Sequence, residues 1–257
     1  NNVISGNEFI NQYYRGVYFY YQTDAMFSDN HVMSNASYTS AYAMYFGQII
    51  RGEYSNNHVE GTSSWPRYGM YFTTVQGDLG VFLPMTNNRI SLRATNAIYG
   101  IYLTNNQFID FSHNSVFMTG STSSAVYFTG GSFNKVSNNN LQHGGGGYAI
   151  RSQSGAPIYE MDYNNLSAPN GNVGYFGGNQ ATIADWQAAS GFDANSITVD
   201  TVYSDTARLK VCTDSLYAMG LSSPLYSMDY EGDMRQNPSC IGADEFMPLS
   251  QFGFNIN

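Results

Sequence analysis

Charged side chains are scarce in this chain. Only 11% of its 257 residues are charged, so asparagine, serine, threonine, glycine and tyrosine carry most of the polar surface. Ten lysine and arginine residues face nineteen aspartate and glutamate residues, which gives a formal net charge of −9. This surplus of negative charge argues against nucleic acid and anionic membrane surfaces as partners. It also argues against an acidic polysaccharide, unless basic residues cluster locally.

Long apolar runs are missing as well. No stretch approaches the roughly 20 residues of a membrane-spanning helix, so we expect no membrane insertion. The sequence begins within a repeated pattern, without an initiating methionine or the basic and apolar segments of a signal peptide. We therefore expect it to be part of a longer chain, with a signal peptide and further coils upstream and with additional domains.

Cysteine is limited to two residues in the C-terminal part, Cys212 and Cys240. A disulfide between them would suit a secreted protein, because disulfides persist in oxidising compartments. The alternative is a pair of buried free thiols.

One short phrase recurs seven times along the chain. In most copies it reads as a small hydroxyl or acidic residue, any residue, asparagine, any residue and an apolar residue. Its asparagines are separated by 23, 27, 31, 26, 25 and 25 residues, at Asn7, Asn30, Asn57, Asn88, Asn114, Asn139 and Asn164. A period of this length is typical of a solenoid in which each repeat forms one turn.

A second phrase keeps the same spacing. It reads as a small residue, an apolar residue, tyrosine and an apolar residue, at 16–19, 43–46, 69–72, 100–103 and 125–128. Weaker copies occur at 147–150 and 173–176. The aromatic and β-branched residues of the phrases, with glycine, asparagine and serine between them, favour strands joined by turns.

These repeats predict a stacked β-fold. A turn of about 25 residues cannot bury its own apolar positions, so the turns must stack. Parallel strands lie about 4.8 Å apart, which places equivalent residues of successive turns above one another. The asparagines then form a column of mutually hydrogen-bonded amides, and they are not ligands. We predict an all-β parallel β-helix of about seven coils over residues 1–178. Residues 179–257 are expected to form terminal coils and an irregular cap of the same domain.

The tyrosine phrase also predicts which side chains face outward. Side chains alternate across a strand, so the apolar second and fourth positions face the core and the third position faces out. The third positions form an external tyrosine stripe, interrupted by Ala149, of Tyr18, Tyr45, Tyr71, Tyr102, Tyr127 and Tyr175. Tyrosine rings can stack on sugars and hydrogen-bond through their hydroxyls, so the stripe is the candidate ligand-binding site. The alternative is that tyrosine is simply a favourable strand residue that pairs with its own copies.

The repeated sequence pattern ends after Phe176. Thr182 and Asp185 have the spacing of a helix capping box, and Gly191 can end a helix. We predict a short helix at 182–190, on the outside of the solenoid, and possible strands at 196–199 and 208–211.

The phrases resemble those of right-handed parallel β-helix proteins, the pectate-lyase-like superfamily, over about residues 1–178. Residues 185–196 resemble W-Q-x-A-x-G-x-D-x-N-S, and residues 229–246 resemble D-x-x-G-x-x-R…I-G-A-x-E. Both phrases occur near the C-terminal end of secreted bacterial surface proteins of this type. The resemblance implies a right-handed helix, a secreted or cell-surface bacterial location and, in some members, an adhesive function.

The residues that follow the ladder asparagines form a polar column that begins with Glu8, His31, His58 and Arg89. Neighbouring imidazoles can bind a metal or act as acid and base. The alternative is a solvated polar surface.

Three acidic residues alternate near the C-terminus: Asp229, Glu231 and Asp233. Calcium loops show this alternation, so they are weak candidates for a structural Ca²⁺ site; no other cofactor is expected. The alternative is a turn whose acids pair with Arg235.

Catalytic motifs of β-helix enzymes are mostly missing. Hydrolases of the family that the chain resembles carry adjacent aspartates and a Gly-His-Gly segment. The nearest match to that segment in this sequence is Gln-His-Gly at 142–144. Lyases of this family place a basic residue beside acidic residues on adjacent coils. Lys135 or Arg151 could act with Asp110 in this way, but no spacing in the sequence selects them. The longest interval between successive ladder asparagines is 57–88. It contains Trp65-Pro66-Arg67 and residues 76–78, and it is a candidate functional loop.

We therefore predict no catalytic residues. The expected function is a secreted or cell-surface module, non-enzymatic, that is adhesive or binds a glycan through the tyrosine stripe. The alternatives are a polysaccharide-active enzyme (lyase, epimerase or hydrolase) and a passive structural stalk.

Overall fold

Parallel strands stack into a β-helix, as the two repeated phrases predict, with about six turns where about seven coils were expected. The computed structural model describes residues 2–34, 38–62, 67–93, 95–96, 99–120 and 123–248. Each full turn contributes strands to three faces, which we call the tyrosine face, the middle face and the covered face.

Strands of successive turns pair in parallel within each face. The tyrosine face contains the first halves of Arg15–Ser28 and Tyr42–Ser55, then Tyr68–Gln76, Tyr99–Gln107, Ser124–Ser132, Tyr148–Ser152 and Asn172–Phe176. The middle face contains Val3–Ser5, the second halves of the same two long strands, Leu83–Thr86, Ile109–Ser112, Asn134–Ser137 and Ile158–Asp162. The covered face contains Glu8–Ile10, His31–Met33, His58–Gly61, Arg89–Leu92, Ser115–Met118, Asn140–His143 and Asn165–Ser167.

Residues with left-handed backbone form the corners between faces. The residue before each ladder asparagine has a positive φ, from 54° at His113 to 70° at Gly6. A second such column separates the tyrosine face from the middle face, at Tyr21, Gln48, Thr74, Asn105 and Gly130. Glycine and asparagine adopt this conformation most easily, which explains why they are frequent between the apolar phrases.

Apolar side chains fill the interior as like-on-like columns. The second position of the tyrosine phrase gives Met44, Met70, Ile101 and Val126, and the fourth gives Phe46, Phe72, Leu103 and Phe128. All eight are buried, as predicted. Burying an apolar side chain of this size contributes about 1.5–3 kcal/mol, so each added turn stabilises the stack.

The predicted asparagine ladder runs the length of the solenoid. From Asn7 to Asn164, each side-chain Nδ2 donates to Oδ1 of the asparagine in the next turn, at 2.9–3.2 Å. That oxygen also accepts the backbone N–H of the previous asparagine. These amides are committed to the stack and are unavailable as ligands, as predicted.

A single helix occurs among the described residues besides one short 3₁₀ turn, and it spans Ile183–Ser190. Thr182 and Asp185 form the predicted capping box, and Gly191 ends the helix at a φ of 75°. No helix in the described part of the chain has the length and apolar character needed to cross a membrane.

The helix closes the end of the core, which corrects the prediction that it lies on the outside. Its Trp186 ring is fully buried and belongs to the core. Gly174 occupies the core position that Ile150 holds one turn earlier. A Cβ on Gly174 would come within 2.3 Å of the indole, so the missing side chain makes room for Trp186.

The segment that follows the helix returns along the covered face. Ile197 pairs with Asn165, and farther along the chain Ala243 donates its backbone N–H to the Ser115 hydroxyl at 2.9 Å. Residues 196–199 do not form the predicted strand beyond that single pairing. The second prediction is confirmed in part, because a two-residue strand, Lys210–Val211, pairs antiparallel with Tyr203–Asp205.

The expected disulfide is not formed, because Cys212 and Cys240 are both free. The Cys240 sulfur is directed at the Phe246 carbonyl, 3.6 Å away. Burial raises the pKa of the Cys240 thiol to about 12, whereas Cys212 is only half-buried. The alternative of two free thiols therefore describes the structure, although only one of them is deeply buried.

Candidate functional site

The predicted tyrosines lie in one column on the tyrosine face. Strand pairing aligns Tyr18, Tyr45, Tyr71, Tyr102 and Tyr127 in successive turns, and Tyr175 lies in the same column two turns beyond. The exposed fraction is 51% at Tyr18 and only 5% at Tyr127. The column lies on the outer surface, but its rings largely shield one another.

Arg151, and not Ala149, occupies the sixth position of this column. The strand Tyr148–Ser152 pairs Arg151 with Tyr127 on one side and with Tyr175 on the other. The predicted alignment, which starts the phrase at Gly147, is therefore wrong by two residues. An arginine can replace a tyrosine here because its guanidinium packs on the neighbouring rings, and this substitution hides the repeat.

Successive rings of the column stack on one another. The ring centres are 5.0 Å apart for Tyr18 and Tyr45, 5.1 Å for Tyr45 and Tyr71, and 5.0 Å for Tyr71 and Tyr102. Tyr127 then turns nearly perpendicular to Tyr102, at 87°. Because the ring faces pack against each other, the surface presents ring edges and hydroxyls rather than open faces.

A second tyrosine column, which was not predicted, runs beside the first. Tyr42 stacks on Tyr68 at 4.7 Å, and Tyr68 stacks on Tyr99 at 5.4 Å. The two columns meet edge to face, as between Tyr42 and Tyr45 at 87°. The sequence does carry a signal, because a second tyrosine precedes the phrase tyrosine by three residues at 42/45, 68/71 and 99/102.

Arginines lie at both ends of the tyrosine columns. The Arg15 guanidinium carbon is 4.3 Å from the ring centre of Tyr18, and that of Arg151 is 4.8 Å from both Tyr127 and Tyr175. Contacts of this kind are worth about 0.5–1 kcal/mol at exposed sites. Neither arginine forms a salt bridge with any residue that the structure describes.

Acidic residues are absent from the strands of this face. No aspartate or glutamate occurs in its segments 15–20, 42–47, 68–73, 99–104, 124–129, 148–152 and 172–176. The face is thus locally positive at its two ends although the whole chain carries −9. Local clustering of basic residues was the condition under which the net charge would permit an acidic partner. Arg15 and Arg151 lie at opposite ends of this face, so each is a single positive site and the two do not form such a cluster.

The hydroxyls of Tyr45, Tyr71 and Tyr102 stay protonated at neutral pH. Burial, followed by the neighbouring Tyr127 and Tyr99, raises the pKa of Tyr102 to about 12. Burial also raises the pKa of Tyr45 and Tyr71, and nearby tyrosines add to the effect. Each hydroxyl can therefore donate as well as accept a hydrogen bond.

Comparison with known proteins identifies the family to which this fold belongs. The family model described as "Right handed beta helix region" matches residues 1–141, more than half of the chain. The chain belongs to this family. No curated protein and no solved structure gives a significant match. Membership in the right-handed beta helix family establishes the architecture and leaves the function to be argued from the surface.

The polar column that follows the ladder asparagines is in register, as predicted, but most of it is not solvated. Glu8 is exposed and His31 is half-buried, whereas His58 and Arg89 are only 5% and 4% exposed. The returning C-terminal segment covers them, and the Ala207 carbonyl lies 2.9 Å from Nε2 of His58. The covered face therefore serves mainly as a docking surface for the chain's own C-terminal segment.

The predicted calcium residues are engaged in other contacts. Asp229 is buried, and its Oδ1 accepts the backbone N–H groups of Glu231 and Asp233 at 2.8 Å each. The Glu231 carboxylate pairs with Lys210, and Asp233 is exposed. The three carboxylates do not converge on a common point between them.

Arg235 holds the C-terminal segment against the solenoid. It pairs with Glu245 at 3.2 Å, and both side chains are 3% exposed. It also donates to Oδ1 of Asn87 at 2.8 Å. The prediction that the acids of the 229–233 turn pair with Arg235 is wrong, because Glu245 is its partner.

A cavity of 260 Å³ lies between the middle face and the C-terminal segment. Asp110, Lys135 and Glu160 line it from three neighbouring strands, together with Asp162. The Lys135 ammonium is 3.3 Å from the Glu160 carboxylate, and Asp110 accepts the Tyr226 hydroxyl at 2.7 Å. The structure thus assembles a basic residue and acids on adjacent coils, which no spacing in the sequence selected.

The candidate loop between 57 and 88 is described only in part, since Trp65 and Pro66 lie outside the described residues. Gln76 ends a strand of the tyrosine face, and Asp78 begins a turn whose Leu79 is 87% exposed. Asp78 lies 3.7 Å from Arg51, so this turn is held by an exposed ion pair.

Proposed function

We propose that this β-helix is an adhesive or glycan-binding module of a secreted or cell-surface protein, and that the tyrosine face is its recognition surface. The observation that carries the proposal is the pair of stacked tyrosine columns on a face without acidic residues. Neither column contributes to the interior, where separate apolar columns already fill the core.

The geometry of the columns suits a repeating polymer. Their rings recur at 5.0–5.1 Å from Tyr18 to Tyr102, so their hydroxyls form a regular row. Stacking holds the rings in place before any ligand arrives, which lowers the entropy lost on binding. Because the ring faces are occupied, we propose that sugars contact ring edges and hydroxyls, with open stacking limited to the ends of the columns.

The arginines at the ends add a preference that can be measured. Arg15 and Arg151 have no carboxylate partner among the described residues, so their guanidinium charges can pair with an acidic group on a bound polymer. A neutral polymer would use the hydroxyl rows alone. Comparing neutral with acidic polysaccharides therefore separates the two contributions.

The test is a pull-down on insoluble neutral and acidic polysaccharides, combined with a glycan array. One variant, Tyr45→Phe/Tyr71→Phe/Tyr102→Phe, removes three hydroxyls and keeps the stack. Each lost hydrogen bond costs about 0.5–1.5 kcal/mol, so we expect binding to weaken about tenfold or more. Tyr159→Phe, on the middle face and 59% exposed, is the matched control and should bind like the wild type. Equal binding by all three proteins would overturn the proposal.

The middle-face cavity favours a second candidate, a polysaccharide-active enzyme. Lys135, Asp110 and Glu160 bring a base and acids together in one concave site. Reducing-end and unsaturated-product assays on the same samples test it, with Lys135→Ala as the variant expected to lose activity. Product release that depends on Lys135 would establish the enzyme. Absence of both binding and product would favour a passive stalk.

A further inference from the structure

Three metal-ligating side chains meet where the C-terminal segment begins to cover the solenoid. His31 pairs with His58 across the neighbouring strands His31–Met33 and His58–Gly61. Glu60 lies two residues beyond His58, so both side chains project from the same side of the strand. One donor atom from each of the three residues lies within 4.8 Å of the other two.

His58 is oriented by the C-terminal segment. Its Nε2 lies 2.9 Å from the Ala207 carbonyl, which can only accept a hydrogen bond. Nε2 therefore carries the hydrogen, and Nδ1 keeps a free lone pair.

His31 is flanked by two carboxylates. Its Nδ1 lies 3.6 Å from Glu8, and its Nε2 lies 3.3 Å from Glu60. Nε2 is buried and has no hydrogen-bond partner among the described residues. Histidines that ligate a metal commonly direct their other nitrogen at a carboxylate, which is the position that Glu8 takes here.

The cluster lines a cleft of 540 Å³ together with Arg208, Tyr230 and Glu231. The Arg89 guanidinium, which also lines this cleft, packs 3.4 Å from the ring centre of Tyr230. The cleft therefore leaves room for an ion and for a further ligand beside it.

We infer that His31, His58 and Glu60 form a binding site for a divalent transition-metal ion of the Zn²⁺ type, with a fourth position open to the cleft. Imidazole nitrogens with one carboxylate suit Zn²⁺, whereas Ca²⁺ and Mg²⁺ prefer oxygen ligands throughout. The site lies on the covered face and is independent of the tyrosine columns.

Binding requires the two rings to tilt relative to each other, because parallel rings direct their in-plane lone pairs side by side and not at one point. They are parallel within 5°, with centres 4.5 Å apart. Ligand atoms of a tetrahedral zinc site lie about 3.4 Å from each other, as bonds of about 2.0–2.1 Å dictate. The two nitrogens and the Glu60 carboxylate, which lie within 4.8 Å of one another, must close to this separation, and the ion then replaces the direct contact of His31 with Glu60.

The test is calorimetric titration of ZnSO₄ into chelator-treated, desalted protein. We expect one ion per chain, at least tenfold weaker binding in His31→Gln and Glu60→Gln, and no binding of CaCl₂ under the same conditions. Glu160→Gln makes the same chemical change on the middle face and should bind like the wild type. The visible absorption of a Co²⁺-loaded sample reports directly on nitrogen ligation and a low coordination number.

His31→Gln and Glu60→Gln alter half-buried side chains, so we expect both variants to fold, which circular dichroism in the presence of chelator checks. A wild type that takes up no stoichiometric Zn²⁺ would overturn the inference. So would folded variants that bind as tightly as the wild type. In either case His31 would only contact Glu8 and Glu60 and would hold no ion.

Discussion

The carboxylate of Asp193 accepts the indole N–H of Trp186 at 2.7 Å, and its other oxygen accepts the side-chain amide of Asn164 at 3.0 Å. Asn164 is the last asparagine of the ladder, and Trp186 fills the end of the core. One buried acid therefore terminates the ladder and positions the helix that closes the solenoid.

We predict that Trp186→Phe destabilises the protein by about 1–3 kcal/mol, because Asp193 loses a buried donor. The smaller ring also leaves part of the space above Gly174 empty, which adds to the loss. The free energy of unfolding in urea measures the effect. Tyr159→Phe, at an exposed position, is the control and should change it by less than about 0.5 kcal/mol. Equal values for the two variants would show that the indole bond does not stabilise the cap.

A substitution in the middle of the ladder should be more costly. The Asn114 amide donates to the Met85 carbonyl at 2.9 Å and to Asn139 at 3.0 Å, and its oxygen accepts from Asn88 at 2.9 Å. Asn114→Ala leaves several buried groups without partners, at about 1–3 kcal/mol each, so we expect a loss of about 3 kcal/mol or more. Asn96→Ala, at an exposed position, should be nearly neutral in the same urea titration. A loss below 1 kcal/mol for Asn114→Ala would contradict the ladder's role.

Stability should fall in acid through His113. Burial and the nearby Arg235 lower the pKa of His113 well below its usual value, so the folded protein holds it neutral. The unfolded chain binds a proton below about pH 6.5. The contribution of His113 is thus fully present above that pH and declines as pH falls towards the folded pKa, by up to about 1.4 kcal/mol per pH unit.

The measurement compares urea unfolding of the wild type and His113→Asn from pH 7.5 to pH 4.5. Asparagine is chosen because it tolerates the left-handed backbone at this position, where φ is 54°. All other titrating groups are shared, so the difference between the two proteins isolates His113. We expect the wild type to lose stability faster as pH falls. Parallel curves would mean that His113 is protonated in the folded state too.

The repeated phrases were sufficient to predict the stacking of turns, the buried columns and the asparagine ladder. Each of these features joins equivalent residues of neighbouring turns, such as Asn88 and Asn114. In these cases the feature that repeats in the structure also repeats in the sequence, so spacing alone identified it. The tyrosine column followed by the same logic, up to the point where Arg151 replaces a tyrosine.

Features without a period could not be predicted in this way. His58 lies beside Ala207, and Asp110 beside Tyr226, although more than a hundred residues separate each pair. The environment of the Cys240 thiol likewise depends on where the segment around Phe246 lies. Such contacts arise from one particular path of the C-terminal segment over the covered and middle faces, and nothing in the local sequence encodes that path.

The sequence by itself determined the solenoid, because its period of about 25 residues admits stable burial only when the turns stack. It also determined that Tyr45, Tyr71 and Tyr102 share an outer column. Strand alternation fixes the face on which the third residue of each tyrosine phrase lies. Tertiary structure alone decided how those rings are used, since stacking turns their faces toward one another. It also decided which polar residues stay accessible, because burial of the covered face depends on a segment that is remote in sequence.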